Sequence, residues 1–309
     1  MSHIARTATD RGITLRGVYA PITTPFNAAG ELDRGALEMN VTAHLQHGLA
    51  GIVVAGSTGE AALLDERERE QLVQWTRKLV TGHRQLIAGS GAESTRTTLR
   101  FAGMAAGNGA DAVLVVAPHY FGPNMTTDAL RAHYLRVADE SRIPVILYNI
   151  PKYMHFRLSR ELVQELSRHE NVIGIKDSSG DPASLEDYLA SQSDRFTTIT
   201  GSGQLWGRAL QMGARAGILA VSLFAPELSL AVYDAVARKD FATADSLQSR
   251  LTPVAKEIVG EMGIAGVKAA LDAVGLRGGP PRAPLLPLPP GQVERVRQLL
   301  RDAELPVAA

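Results

Sequence analysis

Asn171-Val172-Ile173-Gly174-Ile175-Lys176 is an apolar, β-branched run that closes on an ammonium. Valine and isoleucine at this density fit a strand covered on both faces, the kind that a parallel sheet buries. A charge at the end of such a strand is costly unless it is paired or has a chemical task. Burial disfavours the charged form of an amine, and a neutral lysine amine can attack a ketone to form a Schiff base. Lys176 is therefore the first candidate nucleophile, its plain alternative being a strand-end lysine at the surface. Of the six lysines, Lys78, Lys152, Lys239 and Lys256 lie in polar or helical surroundings that read as solvated surface. Lys268 competes, in Gly266-Val267-Lys268-Ala269-Ala270-Leu271, a helical pattern in which a long stem can be buried while its charge reaches water.

Outward from that run the chain alternates short apolar stretches with longer amphipathic ones. Strands are predicted at 17–22, 51–55, 85–88, 112–117, 144–148, 172–176, 197–200 and 217–221. Helical segments lie between them, such as 65–80, with an aspartate at its start and an acidic first turn, and 159–168. Eight strands alternating with helices predict an α/β fold, a (β/α)8 TIM barrel over 1–225. A doubly wound open sheet would need some of these runs reassigned. Beyond Leu223 the pattern is helical, at 228–237, 241–251, 254–274 and 292–303, giving a C-terminal helical extension over 226–309 packed on the barrel. Six of the 16 prolines crowd positions 280–290, which reads as an extended connector and packed scaffold.

Composition narrows the function classes. Lys+Arg and Asp+Glu both number 32, so overall charge draws the protein to neither nucleic acid nor an anionic membrane, and small solutes are the expected partners. With no cysteine there are no disulfides, thiolate metal sites or cysteine nucleophiles, which fits a reducing, cytoplasmic setting. Met1 to Leu15 has no apolar leader core, and no uncharged apolar stretch approaches the ~18 residues of a membrane span. The eight histidines form no His-Glu-x-x-His array, so no metal site is expected.

In a parallel barrel the chemistry belongs at the C-terminal ends of the strands. There Gly56-Ser57-Thr58-Gly59-Glu60 offers backbone N–H groups and two hydroxyls as a carboxylate cradle, or else ordinary turn chemistry with Glu60 capping the next helix. Tyr148-Asn149-Ile150-Pro151 closes the strand next to that of Lys176, and a phenol beside an amine can relay protons. Pro118-His119-Tyr120-Phe121 gives the fourth strand a polar-aromatic rim.

Together these motifs resemble the pyruvate-dependent class I lyases that include dihydrodipicolinate synthase and N-acetylneuraminate lyase. The likeness runs from Arg16-Gly17-Val18-Tyr19-Ala20-Pro21-Ile22-Thr23-Thr24-Pro25-Phe26 through Ala88-Gly89-Ser90-Gly91 and Gly174-Ile175-Lys176-Asp177-Ser178-Ser179-Gly180 to Val267-Lys268-Ala269-Ala270-Leu271. It implies that Lys176 forms the Schiff base, that Tyr148 transfers protons, and that Ser57 links Tyr148 to a second tyrosine, Tyr120, donated by a neighbouring subunit of a homotetramer. It further implies that Thr58 with its backbone holds the pyruvyl carboxylate; Gly59, Leu219, Tyr153, His155 and Gly201 are further candidate substrate contacts, with a 2-oxo acid and an aldehyde as partners. The covalent imine would need neither a metal nor an organic cofactor.

The chain departs from the family where specificity is set. Tyr153 stands where dihydrodipicolinate synthases carry an arginine, with Lys152 or His155 as substitute cations. Gly203 and Gln204 replace an Asp-Glu pair of the sialic acid lyases, and Ala220 replaces a serine. With Tyr153, Met154, His155, Phe156 and Trp206 nearby, the pocket suits a smaller, partly apolar or aromatic aldehyde. The expected activity is an aldolase for 2-keto-3-deoxy or 4-hydroxy-2-oxo acids; the alternatives are dihydrodipicolinate synthase and a related dehydratase. A phosphate-handling barrel using Gly201-Ser202-Gly203 leaves Lys176 unexplained. A binding protein that has lost activity would not be expected to keep Lys176, Tyr148, Ser57 and Tyr120 together.

Overall fold

The computed structural model describes residues 13–308, so most of the leader reading at Met1 to Leu15, and the outermost ends of both predicted segments, lie outside the described residues. The predicted (β/α)8 architecture is present. Strands β1 (Gly17–Pro21), β2 (Gly51–Val54), β3 (Gln85–Gly89), β4 (Ala112–Val116), β5 (Val145–Asn149), β6 (Val172–Asp177), β7 (Thr197–Thr200) and β8 (Ala216–Ile218) follow one another in sequence order around a closed barrel. Every pairing is parallel, and β8 closes on β1 through Val18 opposite Gly217. β2, β5, β6, β7 and β8 are buried along their whole length, which is why β2, β8 and the bodies of β5 and β6 run apolar without alternation, while β7 is the β-branched Thr197-Thr198-Ile199-Thr200.

Local chemistry sets the helix starts. Asp65 caps Glu66–Leu79 in a reciprocal capping box with Glu68, and Ser159 caps Arg160–Leu166 through the amide of Leu162. Two expectations are corrected. The last strand stops at Ile218, because Ser222 Oγ donates to the Leu219 carbonyl (2.8 Å) and turns Ala220–Leu223 into a 3-10 turn. The predicted helix 254–274 is three pieces: the end of Phe241–Val254, a π-helical stretch Ala255–Glu261 and a helix Gly263–Ala273. Pro253 removes a backbone donor, and Gly260 and Gly263 loosen the turns after it, so Met262 N reaches back five residues to the Glu257 carbonyl (2.9 Å).

The proline-rich connector is tied down as scaffold. Arg282 grips Glu68 with both ends of its guanidinium (2.5 and 2.6 Å), donates to the Leu63 carbonyl, and lies 4.1 Å from the Phe26 ring centroid. This holds the C-terminal segment against the loops that follow β1 and β2.

Candidate active site

β5 and β6 pair with Tyr148 directly opposite Lys176. Lys176 is only 6% exposed, and its Nζ lies 4.3 Å from the centroid of the Tyr148 ring. Among the described residues no carboxylate lies within ion-pair distance of that amine. Lys268 contrasts with it and corrects the sequence reading: its charge never reaches water. Its Nζ is 2.6 Å from Glu60 Oε1 and donates to the carbonyls of Thr24 (2.9 Å) and Pro280 (2.8 Å). Burial pushes the Lys268 pKa down, and Glu60 works against that shift. Lys268 is therefore committed to scaffold by an ion pair and two hydrogen bonds, whereas Lys176 is left for chemistry.

Lys176 and Tyr148 open onto a cavity of about 260 Å3, small for a ligand pocket. Ser57 and Thr58, in the 3-10 turn after β2, form part of its wall. Gly201 lines it beside Lys176. A Cβ at Gly201 would fall on Ser178 Oγ and within 2.8 Å of Lys176 Cε, so a side chain there would push Ser178 or the lysine from its place. At Gly203 a Cβ would press Val221 at 2.8 Å, which closes this position to the acidic side chain of the sialic acid lyases.

A buried network fixes the ends of the two key strands. Asp177 Oδ1 accepts from Asn149 Nδ2 (2.8 Å) and Oδ2 from Ser179 Oγ (2.7 Å), while Asn149 Oδ1 accepts from Leu158 N (3.0 Å). Burial raises the Asp177 pKa, and the hydrogen bonds from Ser179 and Asn149 oppose the rise. These residues immediately follow Lys176 and Tyr148, so the network sets where both side chains emerge.

The other predicted contacts divide. Tyr153 lines the cavity while remaining 40% exposed, and its partial burial, with the nearby Tyr148, raises the phenol pKa. Gly59 and Leu219 lie behind the wall, and Ile218 and Ala220 face the cavity in place of Leu219. His155 is exposed outside the cavity, in the left-handed conformation (φ 62°) that ends Pro151–Met154. Tyr120 is 79% exposed, edge-on to Phe121 at 5.0 Å, and no part of this chain's cavity. Met154 and Trp206 are core rather than pocket, the indole donating to the Ser229 carbonyl (2.8 Å).

Of the two substitute cations, Lys152 is the one on the cavity wall, where it donates to the Gly260 carbonyl (2.9 Å). Other wall residues escape the sequence reading. Ala255, Val259 and Ile264 bring the C-terminal segment into the wall, and no motif signals them. Ser178, Ser179 and Gly180 stand beside the candidate lysine and are findable from that adjacency.

A model of the dihydrodipicolinate synthetase family matches residues 14–303. The chain belongs to that family. It is 33% identical over 288 residues to the 4-hydroxy-tetrahydrodipicolinate synthase of Methanoculleus marisnigri, covering 92% of this chain and 98% of that protein. The Pseudomonas aeruginosa enzyme of the same name is 34% identical over 288 residues, 93% of this chain and 98% of its own. Among solved structures, the chloride-inhibited dihydrodipicolinate synthase of Acinetobacter baumannii, complexed with pyruvate, superposes with a TM-score of 0.90 at 30% identity, covering 95% of this chain and all of that one. The Thermotoga maritima dihydrodipicolinate synthase gives 0.89 at 29% identity, covering 94% and 99%. The protein is thus a family lyase that forms or breaks the carbon–carbon bond between pyruvate and an aldehyde.

Proposed function

We propose that Lys176 is the imine-forming residue and Tyr148 the proton carrier of an aldolase for 2-keto-3-deoxy or 4-hydroxy-2-oxo acids. The observation that carries this reading is a buried amine with no carboxylate partner among the described residues, opposite a phenol and open to the cavity. Nζ attacks the C2 carbonyl of the oxo acid, water leaves, and the protonated imine becomes the electron sink. In cleavage Tyr148 takes the C4 hydroxyl proton, the C3–C4 bond breaks toward the imine, and an aldehyde departs. The enamine is then protonated at C3 and hydrolysed to pyruvate. Thr58 and the turn around it hold the carboxylate, and Ser57 continues the relay toward Tyr120 of a neighbouring subunit. Exposed Tyr120 and Phe121 suit burial in a homotetramer, and the absence of cysteine suits the cytoplasm.

A second reading is 4-hydroxy-tetrahydrodipicolinate synthase activity. The names of the relatives favour it, as does Lys152, a cation on the wall beside Tyr153. Loss of the C4 hydroxyl from the same imine would instead make a dehydratase. Incubation with 4-hydroxy-2-oxo and 2-keto-3-deoxy acids tests the choice. Pyruvate release in step with aldehyde is expected; consumption of aspartate semialdehyde with pyruvate supports the synthase, and a deoxy oxo acid without pyruvate the dehydratase. No turnover in either direction overturns the proposed activity.

A further inference from the structure

We infer that the buried Glu60–Lys268 pair is a positioning device for the Ser57–Thr58 turn, by which the C-terminal segment holds the pyruvate carboxylate cradle in shape; this rests on that turn being the cradle. Glu60 follows the 3-10 turn Ser57–Gly59 and is itself left-handed, at φ 57° and ψ 35°. Glycine takes that conformation with least strain, so a glutamate there carries a backbone cost that its buried carboxylate contacts can offset. Glu60 stands at the N-cap of the short 3-10 turn Ala61–Leu63, but its side chain makes no capping hydrogen bond there. Its Oε1 meets Lys268, and its Oε2 accepts from the Arg282 amide (2.8 Å).

Lys268 carries the connection further. Its ammonium donates to the Thr24 carbonyl, and the Thr24 hydroxyl donates to the Gly59 carbonyl (2.6 Å). The cradle is therefore clamped at consecutive residues, Gly59 through Thr24 and Glu60 directly, both leading to one ammonium. Next to Lys268 in the chain, Val267 lines the same cavity, so this helix both walls the site and anchors its floor turn. Stability alone is a weak reason for such a pair, because apolar replacement of a buried ion pair is often neutral or stabilising. What apolar side chains cannot supply is directional hold on Gly59 and Glu60.

The test is the pyruvate concentration that half-saturates borohydride trapping on Lys176, which needs no knowledge of the aldehyde. The double variant Glu60→Gly/Lys268→Met removes both charges together and leaves residue 60 free to stay left-handed. The inference expects the half-saturating concentration to rise tenfold or more, with trapping at saturating pyruvate still on Lys176. The control is Arg77→Met, which removes the Arg77–Asp111 bridge (3.0 Å) outside this network and should leave half-saturation unchanged while lowering Tm. A folded double variant with less than a threefold rise overturns the inference. Should the double variant not fold, Thr24→Val removes only the hydroxyl on Gly59 and is judged by the same threefold limit. Failure of the wild-type protein to trap pyruvate overturns the imine reading and this inference together, whereas normal trapping with unshifted half-saturation overturns this inference alone.

Discussion

Two buried lysines face opposite fates according to what surrounds their amines. Lys268 is saturated by a carboxylate and two carbonyls, while Lys176 meets an aromatic ring and open cavity. Tyr148→Phe keeps that ring and loses the proton carrier, so kcat should fall by about 10^2 to 10^4 while pyruvate still traps on Lys176. Stopped assays with the trapping experiment alongside check both halves. Gly201→Ala should lower activity at least about 100-fold, because its methyl displaces Lys176 or Ser178 and an ångström at the reacting centre has that effect. At this scale Lys176 is legible in the sequence, since a charge closing an apolar strand violates the pattern around it. The pairing of Lys268 is not, because Glu60 lies far away in the chain and only the fold brings it near. His155 looks like a contact by adjacency to Tyr153, but the left-handed turn at its own backbone carries it out to solvent.

At the scale of elements, the ends of β5 and β6 are held by the Asn149–Asp177 network rather than by strand pairing alone. Asn149→Ala strands the Leu158 amide and leaves Asp177 Oδ1 only the longer hydrogen bond from Ser179 N (3.2 Å), and should cost about 2 kcal/mol in denaturant unfolding. Most strands begin and end within a residue of their sequence-read bounds, because burial on both faces leaves an unbroken apolar signature. β8 is shorter than its apolar run because Leu219-Ala220-Val221 continues the pattern, while the turn depends on the hydroxyl of Ser222 beyond it. The stretch 254–274 reads as one helix because a seven-residue π stretch is too short for its i→i+5 spacing to show as a break in the helical pattern around it. That hidden irregularity is what brings Ala255 and Val259 into the cavity wall.

Across the whole molecule, acid sensitivity follows from two histidines buried without charge. Burial lowers the pKa of His44 to about 4, with nearby His47 adding to the effect, and burial lowers that of His133 to about 4. His133 Nδ1 pairs with Thr95 Oγ1 (2.9 Å), and its Nε2 is buried without a partner among the described residues. An unfolded histidine titrates near 6.5, so between about 6.5 and 4 the unfolded chain binds more protons than the folded one. Their contribution is complete above about pH 6.5 and declines as pH falls to about 4, by roughly 3 kcal/mol per histidine. Tm measured from pH 7 to 4 should drop, and His133→Phe should flatten part of that slope; an unchanged slope would show that His133 is not buried neutral.

The central claim, that Lys176 forms an imine with pyruvate, is tested most directly by borohydride reduction in the presence of pyruvate followed by intact and peptide mass spectrometry. One reduced pyruvyl adduct per chain is expected, located on the peptide bearing Lys176 and missing from folded Lys176→Ala. An adduct on Lys268 or any other lysine, or none on the folded wild-type protein, would contradict it.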